Sequence, residues 1–119
     1  MNVLEHLETR KGSRAEPFSF TIVIDENPVQ IYAQHPNVEE EAKIKADDNL
    51  IDQMLNEIIF RSRDKDGKLI FNPYEKYKYR KMFDPNLLNE WYLKIKRPFG
   101  VEEKVWQDHI NDMLKTFGV

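Results

Sequence analysis

Arg61-Ser62-Arg63-Asp64-Lys65-Asp66-Gly67-Lys68-Leu69-Ile70-Phe71 stands between two runs of helical apolar spacing, and its reading decides the architecture. Three chemistries compete for it: a cation loop, a basic nucleic-acid patch, and a tight turn. Asp64-x-Asp66-Gly67 with Leu69 beyond it has the look of a calcium loop. Such loops put glycine sixth, a carboxylate first and a bidentate glutamate last. Setting Gly67 sixth places Ser62 first and Pro73 last, so both end ligands are missing. Asp66-Gly67 instead has the chemistry of a hairpin or loop corner, where positive φ angles are needed. Leu69-Ile70-Phe71 is then a short apolar return. The stretch is read as the turn that fixes how the helix before it meets the aromatic helices after it.

Upstream, Phe18, Phe20, Ile22 and Ile24 alternate with Ser19, Thr21 and Val23, the period of a strand with one buried face. Asp25-Glu26-Asn27-Pro28 is turn chemistry, and Val29, Ile31 and Ala33 alternate in their turn. Two such runs predict a β-hairpin, which is marginal alone and must pack on something. Asn37 is suited to cap a helix whose first turn holds Glu39, Glu40 and Glu41. Apolar residues recur helically from Ala42 through Leu50, Ile51, Met54, Leu55, Ile58 and Ile59, with Ala46-Asp47-Asp48-Asn49 as a possible break.

Downstream, residues 74–82 are short, charged and aromatic, and Asp84-Pro85 is a strong helix start. Leu87, Leu88, Trp91, Tyr92 and Ile95 share the apolar side of that helix, and Pro98 and Gly100 end it. A last helix from about Val101 carries Val105, Trp106, Ile110, Met113, Leu114 and Phe117 inward, with Gly118 as its stop. The predicted fold is α+β, mainly α: an N-terminal β-hairpin packed on a small bundle of three or four helices. Residues 1–16 are read as a flexible arm with a short helical turn around Val3 to Leu7, and residues 17–119 as one domain.

Composition bounds the function. The 119 residues include 40% hydrophobic and 33% charged side chains and no cysteine. That is enough for a modest core, and it excludes disulfide scaffolds and thiolate zinc sites. No apolar run approaches the roughly 20 residues that span a bilayer, so the expectation is a soluble intracellular chain with no membrane partner. The net charge of −3 hides a pattern: residues 1–60 hold 5 basic against 12 acidic side chains, residues 61–97 hold 11 against 5, and residues 98–119 hold 2 against 4. A basic middle between acidic ends marks either an interaction face or segments that pair with each other.

Lys76, Lys78, Arg80 and Lys81 interleave with Tyr74, Tyr77 and Tyr79, a composition that can grip nucleic acid or form a solvated helix face. The acidic pI of about 5.6 makes nucleic acid the less favoured partner. His6, His35 and His109 have no metal-ligand spacing, no nucleophile elbow or phosphate loop is present, and the clustered carboxylates suit solvated helix starts. The chain is read as non-enzymatic, with no catalytic residue, no metal ligand and no cofactor. Trp91, Tyr92, Trp106 and Phe117 are core or interface anchors, more aromatic bulk than a small domain easily buries.

In order along the chain, the hairpin of residues 18–33, the helix ending Ile58-Ile59, the run Arg63 to Phe71, the charged helix of residues 74–82 and Leu87-Leu88-x-x-Trp91 resemble the tail assembly chaperones of tailed bacteriophages. The resemblance covers about residues 17–100. It implies a small, largely helical, non-enzymatic protein of the host cell cytoplasm. Such a protein binds the tape-measure protein, and often the tail-tube protein, before the tube polymerises, and a longer frameshifted form often accompanies it. A tape-measure protein is a long amphipathic helix, which needs an apolar groove rimmed by charge. On spacing and charge, Tyr77, Trp91 and Tyr92 are the expected groove residues and Arg80, Lys81 and Lys96 the expected rim. The alternatives are a nucleic-acid-binding regulator using residues 61–81 and a structural tail or baseplate component of the virion.

Overall fold

A computed structural model describes residues 2–9 and 17–116. α1 (Val3–Thr9) comes first, with Val3, Leu4 and Leu7 exposed. The rest of the expected arm, residues 10–16, and the expected Phe117 anchor and Gly118 stop lie outside the described residues. β1 (Phe18–Ile24) and β2 (Asn27–Ala33) then pair antiparallel from Phe18↔Ala33 to Ile24↔Asn27. Period-two alternation sends Phe20, Ile22, Ile31 and Ala33 into the core and turns Val23 outward; Val29 shares the inward face, opposite Ile22, but lies near the turn and is partly exposed. The two-residue loop puts Asp25 at φ 49° and Glu26 at φ 68°, both left-handed, as a type I′ turn requires.

Counting from the closing pair Ile24↔Asn27, alternate pairs are hydrogen-bonded, so Pro28 falls where its missing N–H costs no bond to β1. The same count turns the Thr21 carbonyl to the outer edge of β1. There Lys94 Nζ donates to it at 2.7 Å.

The acidic segment after the hairpin breaks into two helices. Asn37 forms a capping box with Glu40 at the start of α2 (Val38–Ile44). Asn49 Oδ1 accepts from the backbone N–H groups of Ile51 and Asp52 and starts α3 (Leu50–Arg61). The break falls in residues 45–49, within the polar run that includes Asp47 and Asp48.

Residues 61–71 do more than turn. Arg63 exchanges two backbone hydrogen bonds with Tyr32, at 2.9 and 2.7 Å, and pairs with Leu69 on its return. The corner is tied by Asp64: its carbonyl accepts from Gly67 N–H, and its Oδ1 accepts from the N–H groups of Asp66 and Lys68. Of the Asp66-Gly67 pair, the glycine takes the left-handed position, φ 81°, while Asp66 does not. This is the three-residue hairpin loop built on a type I turn. The stretch therefore reaches across the outer edge of β2.

A 3-10 turn, Pro73–Glu75, leads into α4 (Lys76–Met82), followed by α5 (Pro85–Ile95) and α6 (Glu103–Thr116). Asp84 Oδ1 accepts from Leu87 N–H at 2.8 Å, so α5 starts where Asp84-Pro85 places it. The described residues thus hold one hairpin and six α-helices, an α+β chain that is mainly α. One face of the hairpin packs with Leu55, Ile58 and Ile59 of α3, with Leu88, Trp91 and Ile95 of α5, and with Phe71 and Tyr79.

Candidate protein-binding groove

A cavity of about 520 Å³ opens between the N-terminal half of α3 and the corner joining α4 to α5. Its apolar lining is Ile51, Met54, Leu55, Phe83, Pro85 and Leu88; Asn49, Asp52, Arg80, Asp84 and Asn89 supply the polar edge. The groove follows from a mismatch of lengths. Ile51 stands seven residues before Ile58, on the same line of α3. Ile58 is covered by the core, whereas Ile51 is 61% exposed: Arg80 of α4 reaches the Asp52 side of the first turn and leaves the Ile51 side open.

The α4 wall is oriented by Tyr79. This ring packs edge-on against Phe71 at 4.9 Å, and its hydroxyl accepts from Asn72 N–H at 2.8 Å. With Tyr79 turned to the core, Lys76 and Arg80 face the acidic side of α3. Lys76 pairs with Asp47, and Arg80 pairs with Asp52. Asp47 also accepts from Asn56 Nδ2 at 2.7 Å, and these two hydrogen bonds, Lys76 first, hold its carboxyl below the usual 3.8. The basic middle and acidic first half of the sequence therefore neutralise each other at this contact. Lys78 and Lys81 have no carboxylate partner among the described residues; Lys81 Nζ lies 5.4 Å from the ring centre of Tyr77.

The six expected interface residues separate into two groups. Tyr77, Arg80 and Lys81 lie together on α4, Arg80 in the groove lining and Tyr77 exposed at 71%. Trp91 is 4% exposed and is not among the residues lining this groove. It is packed against Phe71 and Phe83, with Nε1 donating to Ser62 Oγ at 3.0 Å. A side chain enclosed in this way has no surface to offer a partner, so its expected place in the groove is corrected. Tyr92 is half-buried against the core, and Lys96 Nζ stacks over its ring and pairs with Glu57 at 3.2 Å. Those last two residues belong to the far end of α5, away from the cavity.

Lys96 instead joins a buried charge cluster. Glu57 and Arg61 are buried, paired at 2.8 Å, and Arg61 Nε donates to the Gln34 carbonyl at 3.1 Å. Arg61 Nη2 is buried without a hydrogen-bond partner. The guanidinium groups of Arg61 and Arg97 both approach the Phe18 ring, at 5.9 and 4.6 Å. His35 lies between Phe18, at a tilt, and Phe99, edge-on. Burial, then the positive charges of Arg61 and Arg97, lower the His35 pKa below 6.5.

No group of three or more histidine, cysteine, aspartate or glutamate side chains is placed to hold a metal ion among the described residues. No helix among them is long and apolar enough to cross a membrane. Comparison of the chain with protein-family models, curated proteins and solved structures finds no match.

Sequence reading missed the apolar groove lining itself. The signal was present in α3, whose apolar line runs one turn beyond what the hairpin and α5 can cover. Period alone does not say which residues of a stripe are left over.

Proposed function

We propose that this chain is a non-enzymatic assembly chaperone or adaptor that holds an amphipathic helix in the groove between α3 and the α4–α5 corner. In its specific form, drawn from the resemblance given above, it is a phage tail assembly chaperone acting in the host cytoplasm. Its cargo is then the tape-measure protein or the tail-tube protein. The observation that carries the reading is the cavity of about 520 Å³ with six apolar residues in its lining. Apolar grooves of this kind suit helix recognition, with side chains at i, i+3, i+4 and i+7 as anchors. Exposed Leu50 and Met82, each next in sequence to a lining residue, add to the exposed apolar surface.

The test is co-expression with the tape-measure protein of the same phage. The expected result is a soluble complex that Ile51→Glu abolishes without unfolding the chain, since Ile51 is largely exposed. Absence of the protein from finished particles separates a chaperone from a structural tail component. Failure to co-purify with either cargo sinks the specific form. The nucleic-acid alternative is weakened because Lys76 and Arg80 are already matched by Asp47 and Asp52.

A further inference from the structure

We propose that a second cavity beside the groove takes a lysine or arginine side chain of the helix held there. This rests on the reading of the groove as a helix-binding site. The second cavity, about 440 Å³, opens between the hairpin turn and the first turn of α5. Asp84 and Pro85 line both cavities, so the two meet at the start of α5. A long side chain of a helix in the groove reaches the second cavity across Pro85. There Val23, Ile24, Pro85 and Leu87 supply apolar surface, and Asp25, Asp84 and Glu90 are the titratable groups. Apolar walls ending in carboxylates suit a side chain with an aliphatic stem and a cationic head.

The charge left after internal pairing decides the sign. Arg80 is the one basic residue in the two linings, and it is paired with Asp52. Glu90 is paired with Lys94 at 3.0 Å. Asp25 and Asp84 are exposed and in no ion pair among the described residues; Asp84 accepts one backbone N–H, from Leu87. The start of α5 brings about half a positive charge. That offsets only part of Asp84 and leaves Asp25 untouched, so the place where the cavities meet is net negative. A cation from the partner gains there, and a carboxylate meets like charge.

The test uses three synthetic amphipathic peptides of roughly 18 residues, long enough to be helical. They share one leucine stripe and differ in a single flanking line, which is lysine, glutamine or glutamate. Binding to the full chain is measured by fluorescence anisotropy at low and high salt. The expected order is lysine, glutamine, glutamate, with about a fivefold spread between the ends, as two exposed charge pairs give. The spread should collapse at high salt and in the Asp25→Asn/Asp84→Asn variant. Asparagine caps a helix as well as aspartate does and accepts the left-handed backbone of residue 25, so that variant keeps the fold. A spread that survives the double variant, or glutamate as the tightest binder, would overturn the proposal. Equal affinities that Ile51→Glu still abolishes would overturn the cation subsite and leave the groove standing. No binding by any peptide would overturn both. Self-association of the chain that Ile51→Glu disrupts would give the groove to a second copy and also overturn the proposal.

Discussion

Replacing Arg61 by methionine should cost more stability than any surface substitution, and removing Glu57 as well should restore most of it. The side chains of the pair are 3% and 2% exposed, so neither charge has water to fall back on. In Arg61→Met the Glu57 carboxylate is left with Lys96 alone, itself half in solvent. Breaking a buried pair in this way costs about 3–5 kcal/mol, a large share of the 5–15 kcal/mol typical of a domain. With a urea dependence of about 2 kcal/mol per molar, the unfolding midpoint should fall by about 2 M. The double variant Glu57→Leu/Arg61→Met removes both charges and the unpartnered Nη2 together. It gives up the Arg61 bond to the Gln34 carbonyl, worth about 1 kcal/mol. It should therefore return to within about 2 kcal/mol of the parent. Urea unfolding followed by far-ultraviolet circular dichroism reads all three proteins. A double variant no more stable than Arg61→Met would show that the loss is one of packing, and the burial argument would be refuted.

Three further outcomes are expected. The pKa of His35 is lowered on folding, so the unfolded chain binds more protons just below pH 6.5. Stability tied to neutral His35 is then intact above about 6.5 and lost as pH falls through its folded value; His35→Gln should flatten the urea midpoint over that range, and an unchanged slope would contradict it. Glu26→Gly relieves a left-handed glutamate and should stabilise by about 0.5–1 kcal/mol, whereas a lower midpoint would argue against the type I′ turn. Tyr79→Phe leaves Asn72 N–H without its acceptor and should cost about 1–2 kcal/mol, with increased amide exchange at Asn72 as the local readout.

Where local chemistry decides an element, the sequence was legible. Alternation from Phe18 to Ile24 marked the hairpin, Asp84-Pro85 marked the start of α5, and the polar run to Asn49 marked the break between α2 and α3. The helical pairing of Tyr77 with Lys81 was likewise readable, since both sit on one helix four residues apart. Long-range partners were not readable. Trp91 lies on the apolar side of its helix in either reading, and what buries it is Phe71 and Ser62, the latter 29 residues away. Lys96 looked like a rim charge because its partner, Glu57, sits on another helix. Glu57 and Arg61 carry the spacing of an ordinary solvated pair, and the groups that meet them in the fold, Phe18 and the Gln34 carbonyl at Arg61 and Lys96 at Glu57, are distant in sequence. The fold thus followed from periods and caps, while the site depended on which stretch of each stripe the tertiary packing left uncovered.

The lysine donating to the Thr21 carbonyl has a meaning beyond its one hydrogen bond. Phe18 to Ile24 is an apolar, β-branched, uncharged run, the composition that stacks into intermolecular sheets when its edge lies open. Lys94 occupies the centre of that edge with a charge. The opposite edge of the hairpin is blunted by Pro28 and taken up by Arg63. A chain whose proposed task is to keep other polypeptides from associating too early thus has both outer edges of its own hairpin guarded against recruiting copies of itself.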